Sequence, residues 1–128
     1  MTSILEISLR AGKIMLENGG NTSLVEESIQ RLGTGLGADS VEVSVNPGSI
    51  VASLVSGQEQ ETRLRRVSQS GVELSKLARV LHLVSGVESG KMSASEAESE
   101  LQRIEGLSRQ YPPGWWPWQS GSDAARSP

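Results

Sequence analysis

Few side chains in this sequence have both the type and the spacing to do chemistry. Glu26 opens a helical stretch, Arg63 and Arg65 lie two apart in "TRLRRV" and so share one face of a strand, and His82 is the single histidine. Guanidinium groups hold carboxylates bidentately. Glu26 beside Arg63 and Arg65 would therefore form a buried structural ion pair, or a site for an amino acid or organic acid whose charged groups need opposite charges close by. Asn21 and Thr22, at a tight junction between two helices, complete the ligand- or partner-binding candidates. Glu26, His82 and the arginines are also what a small hydrolase would have to use. Glu26 and Glu27 are poorly placed as an acid–base pair, because neighbours on a helix point about 100° apart and do not easily share one substrate atom; carboxylates facing the positive end of the helix dipole are the simpler reading.

The rest of the sequence argues against catalysis. It holds no G-x-S-x-G elbow, no H-E-x-x-H pair and no glycine-rich phosphate loop. It has no cysteine, which removes disulfides, thiolate metal sites and cysteine nucleophiles and is compatible with a reducing compartment. The reading is a non-enzyme with no catalytic residue, metal or cofactor. A net charge of −3, with no basic cluster beyond Arg63, Arg65 and Arg66, speaks against a nucleic-acid partner. Runs such as "SIVASLV" and "VLHLV" are far shorter than the roughly 20 residues a membrane span needs, and the N-terminus lacks the pattern of a secretory signal.

The elements that must position these residues are legible in the periodicity. Ile4, Ile7, Ala11, Ile14 and Met15 form the stripe of a first amphipathic helix, which "NGG" ends. Asn21, Thr22 or Ser23 then caps a second helix, Ser23 with Glu26 having capping-box spacing; its stripe is Val25, Ile29, Leu32 and Leu36, and Gly37 closes it. Val41, Val43 and Val45 alternate with polar residues as a strand. "IVASLVS", apolar on nearly both faces, reads as the central strand, and "QETRLRRV" as a charged edge strand, the three forming an antiparallel meander. A helix follows with Leu74, Leu77, Leu81 and Val84 on one face and Val80, Leu83 and Val87 beside it, a breadth that predicts deep burial or self-association. Ser93 and Glu96 form a capping box before a last helix with Ala97, Leu101 and Ile104. The fold class is α+β: two N-terminal helices, a three-stranded antiparallel sheet, and two C-terminal helices packed on the sheet. Residues 1–110 form the domain and 111–128 a Pro/Trp segment with a disordered polar tail.

"LRAGKIMLENGGNTSLVEESIQRLGTGLG", "VEVSVNPGSIVASL" through "TRLRRV", "GVELSKLARVLHLVSGVESGKMSASEAESELQRI" and the closing "YPP" together resemble the N-terminal cytosolic domain of the threonine/serine exporter family and its relatives in dicarboxylate export. The resemblance covers about residues 7 to 113, and "NTSLVE" and "SVNPGSIVASL" are its more specific parts. It implies a cytosolic cap joined to transmembrane helices, at the inner face of the plasma membrane. The implied role is regulation, substrate sensing or assembly beside a membrane-spanning exporter domain or subunit, with no transport by the cap itself. Where the family's first span is expected, this sequence gives "YPPGWWPW" and a short polar tail, which reads as a truncation before the spans. Trp115, Trp116 and Trp118 suit a membrane interface or a docking point for a partner.

Overall fold

The computed structural model describes residues 4–68 and 73–106. The boundary expected near residue 110, the "YPP" step and Trp115, Trp116 and Trp118 lie outside the described residues.

Four helices and three strands follow the expected order: α1 (Ile4–Glu17), α2 (Thr22–Gly35), β1 (Ser40–Asn46), β2 (Ser49–Ser56), β3 (Glu59–Arg66), α3 (Leu74–Glu88) and α4 (Ala94–Glu105). The sheet is an antiparallel meander in the order β1-β2-β3, with β2 central as its apolar run requires. Ile50, Ala52 and Leu54 of β2 are buried beneath the helices. Val51, Ser53 and Val55 are half-buried on the other face.

α1 and α2 make the layer against the sheet, α1 over β2 and β3 and α2 over β1. α3 and α4 stack on α1 and α2 behind that layer, so the C-terminal pair joins the sheet's helical cover through the first two helices. α1 therefore touches every other helix and two strands. Leu5, Leu9 and Leu16 are buried along with the expected stripe of Ile7, Ala11, Ile14 and Met15. Close approach is bought by small residues: a Cβ on Gly12 would stand 2.5 Å from Ile29 Cδ1, where α1 crosses α2 above Ile50, and one on Gly33 would stand 2.6 Å from Val41 Cγ2.

The helix junction differs from expectation in one respect. Gly19, at φ 100°, closes α1 in the left-handed region, and the Gly20 amide donates to the Met15 carbonyl at 2.8 Å. The cap of α2 is Asn21, whose Oδ1 accepts from the Leu24 amide at 2.8 Å. Ser23 thus lies inside the helix, and the Ser23–Glu26 capping box does not form. Its counterpart on α4 does: the Glu96 amide donates to Ser93 Oγ at 3.2 Å, and the Ser93 amide to Glu96 Oε1 at 2.9 Å.

α3 is the other departure. Val80, Leu83, Val84 and Val87 are buried, but Leu77 and Leu81 are only half-buried and Leu74 is 67% exposed. Part of its broad apolar surface is buried against α1, α2 and α4, Leu77 and Leu81 pack at the margin of the core, and Leu74 faces outward.

Candidate functional site

In the β2–β3 register Arg65 stands opposite Ile50, Arg63 opposite Ala52 and Glu61 opposite Leu54. All three charged residues therefore lie on the helix side of the sheet, at the edge the helical layer only partly covers. Both arginines reach the same residue of α1, Glu6. Arg63 Nη1 donates to Glu6 Oε1 at 3.1 Å, Arg65 Nη2 donates to Glu6 Oε2, and Arg63 Nη2 also donates to Glu61 Oε2 at 3.0 Å. Two guanidinium groups on one carboxylate is what would hold a carboxylate ligand, and here the chain supplies the carboxylate itself. The Arg63 and Arg65 side chains are 46% and 32% exposed, so the cluster ties α1 to β3 with the modest strength of a surface pair.

The expected pairing of Glu26 with these arginines is not formed. Glu26 sits over the opposite edge of the sheet, where its Oε2 accepts from the Val45 amide of β1 at 3.3 Å. Three strands span two interstrand gaps of about 4.8 Å each, which puts that edge about 10 Å from β3. Asn21 is occupied as a helix cap, and Thr22 is the exposed first residue of α2. His82 is exposed on α3, in the layer behind α1 and α2. Glu26, His82 and the arginines occupy three separate places, so the convergence a hydrolase would need is absent among them.

The sequence reading missed the residues that join the layers. Arg31 of α2 holds Glu88 of α3 through Nε at 3.1 Å to each carboxylate oxygen and through Nη2. That hydrogen bond holds the Glu88 carboxyl below its ordinary range and raises the Arg31 guanidinium. The pair borders an open depression of about 480 Å³ lined by Gln30, Arg31, Thr34, Gly35 and Glu88. On α1, Arg10 Nη2 donates to Glu105 Oε1 of α4 at 2.7 Å, which raises the Arg10 guanidinium in spite of its partial burial. A signal for the α1 residues was present: Glu6, Arg10, Lys13 and Glu17 recur at three- and four-residue steps, a charged stripe beside the apolar one. Among the described residues no three potential metal ligands cluster, and no helix is long and apolar enough to cross a membrane.

The model of the threonine/serine exporter (ThrE) family matches residues 6–116, a span that takes in all of the fold but the first two residues of α1. The chain belongs to the threonine/serine exporter family. Relatives in the family include proteins named probable succinate transporter subunit YjjP. That of Klebsiella aerogenes is 28% identical over 110 residues, covering 86% of this chain and 42% of the relative. That of Escherichia coli K12 is 27% identical over the same length, with the same coverage. An uncharacterized protein of Haemophilus influenzae is 23% identical over 105 residues, covering 82% of this chain and 35% of that protein. The chain thus spans less than half the length of the curated relatives it matches. No solved structure matches it significantly.

Proposed function

We propose that this family domain serves a threonine/serine exporter-like assembly as a cytoplasmic module at the inner face of the plasma membrane. Its role there is assembly or regulation beside a membrane-spanning domain or subunit, with no transport and no catalysis of its own. The observation that carries the reading is the family match over residues 6–116 of a chain whose described residues include no membrane-crossing helix. A solute path needs closed, internally hydrogen-bonded spans, and the small sheet with its two helical layers is not built as one. The names of the relatives, transporter subunits, support a partner. The match also runs on through Trp116, which supports counting Trp115 and Trp116 as part of the module; indole rings favour the headgroup level of a bilayer.

Fractionation of cells producing the tagged chain tests this. The expected result is recovery with the membranes together with a membrane-spanning protein of the same family, and loss of that recovery on changing Trp115, Trp116 and Trp118 to alanine. A chain that remains in the soluble fraction without such a partner would overturn it.

A second reading, ligand sensing, is favoured by the two half-exposed arginines on one carboxylate. An amino acid or a dicarboxylate such as succinate would replace Glu6 there. Calorimetric titration with threonine, serine and succinate should then show heat that Arg63→Gln with Arg65→Gln abolishes; no heat with any of the three removes the reading.

A further inference from the structure

β3 is the outermost strand of the sheet, eight residues long, without proline or bulge, and no described strand pairs with its outer side. Its backbone polarity follows from the hairpin. Ser56 and Glu59 face each other across the two-residue turn Gly57–Gln58, which makes them a hydrogen-bonded pair, and the pattern then alternates. Glu59, Glu61, Arg63 and Arg65 direct their amides and carbonyls at β2, and the Val67 amide, in the same phase, donates inward to the Gly48 carbonyl at 3.0 Å. Gln60, Thr62 and Leu64 direct theirs at the free edge. Such an edge is a template for another strand unless something opposes it.

The side chains do not oppose a second copy of the same strand; they select it. Laid antiparallel to itself about Thr62, the strand brings Thr62 opposite Thr62 of the second copy, Gln60 opposite Leu64, Glu61 opposite Arg63, and Glu59 opposite Arg65. Every charged residue between Glu59 and Arg65 meets its opposite sign. Thr62, Gln60 and Leu64 then form the hydrogen-bonded pairs, as their outward amides and carbonyls require. The two charged pairs fall at the non-hydrogen-bonded positions, where Cα atoms approach to about 4.5 Å and side chains are closest. A slip of two residues either way sets Arg63 against Arg63 or Glu61 against Glu61, so the charges admit one register. The groups are accessible: Glu59, Thr62 and Leu64 are exposed, and the Arg63 and Glu61 side chains are 46% and 44% exposed.

We infer that β3 is a homodimerisation edge, pairing with β3 of a second copy across a twofold axis through Thr62 to give a continuous six-stranded antiparallel sheet. The interface is isologous and closes on itself. Glu61 exchanges its in-strand partner Arg63 for Arg63 of the second copy, and Glu6 keeps its hold on the arginines from α1.

A charge-swap measurement on the 128-residue chain tests this. One variant carries Glu59→Arg with Glu61→Arg, the other Arg63→Glu with Arg65→Glu; each gives positions 59, 61, 63 and 65 one sign and makes their pairing self-repelling. By sedimentation velocity the unmodified chain should be a dimer, each variant alone a monomer, and the equimolar mixture a dimer again. Because Arg63→Glu with Arg65→Glu also removes the Glu6 contacts, Thr62→Pro provides an independent arm. It deletes an outward amide and the exposed hydroxyl contact of Thr62 with Ser53, leaves the backbone hydrogen bonds between β2 and β3 in place, and should give a folded monomer by circular dichroism and sedimentation. Hydrogen exchange in the dimer should slow at the amides of Gln60, Thr62 and Leu64. An unmodified chain that stays monomeric at the highest attainable concentration overturns the proposal, and so does a dimer that survives Thr62→Pro, since the contact would then lie elsewhere, as on the exposed side of α3.

Discussion

α1 and α3 have nearly the same length and each carries a broad apolar surface, yet they end in opposite circumstances. Nine of the 14 residues of α1 are buried, and four of the 15 of α3. The difference lies in the number of neighbours and not in the sequence of either helix. α1 is covered by α2, α3, α4 and the sheet, and even its glycine and serine positions are enclosed. α3 sits in the outer layer and can bury only the side that α1, α2 and α4 reach. Apolar breadth sets how much a helix could bury, and topology decides how much it does.

Substitutions along the two helices sharpen that contrast. Leu9→Ala removes a fully buried side chain from the centre of α1 and should destabilise by about 2–5 kcal/mol in chemical denaturation. Gly12→Val crowds the crossing with Ile29 and Ile50 and should cost about 1–3 kcal/mol, visible as a lower denaturation midpoint at unchanged slope. On α3 the half-buried Leu81 should lose less when changed to alanine, about 1 kcal/mol; a loss as large as that of Leu9→Ala would mean the outer layer is covered in solution. Leu74→Ser should fall within about 0.5 kcal/mol of the unmodified chain.

The smallest effect is a matter of pH. Arg31 lowers the Glu88 carboxyl in the folded chain, so the pair's contribution is present above the ordinary glutamate value of about 4.3 and is lost as pH falls through the lowered folded value. Glu88→Gln should therefore leave stability near neutrality almost unchanged and make its decline on the acid side shallower. An acid limb of unaltered steepness would show that Arg31 and Glu88 do not hold α2 to α3 in solution.

Where the sequence reading succeeded, the cause was local. Gly19 and Gly37 end their helices at positive φ, Ser93 and Glu96 cap each other, and the alternation of Val41, Val43 and Val45 marks a strand, all through contacts within a few residues. The central place of β2 and the charged edge of β3 were legible for the same reason, being written in the pattern of single strands. What escaped depends on the third dimension. Ser23 and Glu26 have the spacing of a box, but Glu26 finds the amide of Val45, nineteen residues on, and Asn21 takes the cap. Arg63 and Arg65 were recognised as one face of a strand, but their carboxylate came from Glu6, in a helix with several charged residues to choose from. The width of the α3 stripe is legible in the sequence and its burial is not, because no single helix records how many others will surround it.

Glu26 has one more consequence. By taking the outward amide of Val45 it satisfies one donor of the β1 margin, the strand that α2 overlies, and makes that edge less ready to accept another strand. A three-stranded sheet equally open on both sides could add copies without limit and grow into fibres; an edge with one of its amides already taken from within the chain is a poorer place to continue. That carboxylate, a candidate for chemistry by its type and place, acts instead as a brake on one edge of the sheet.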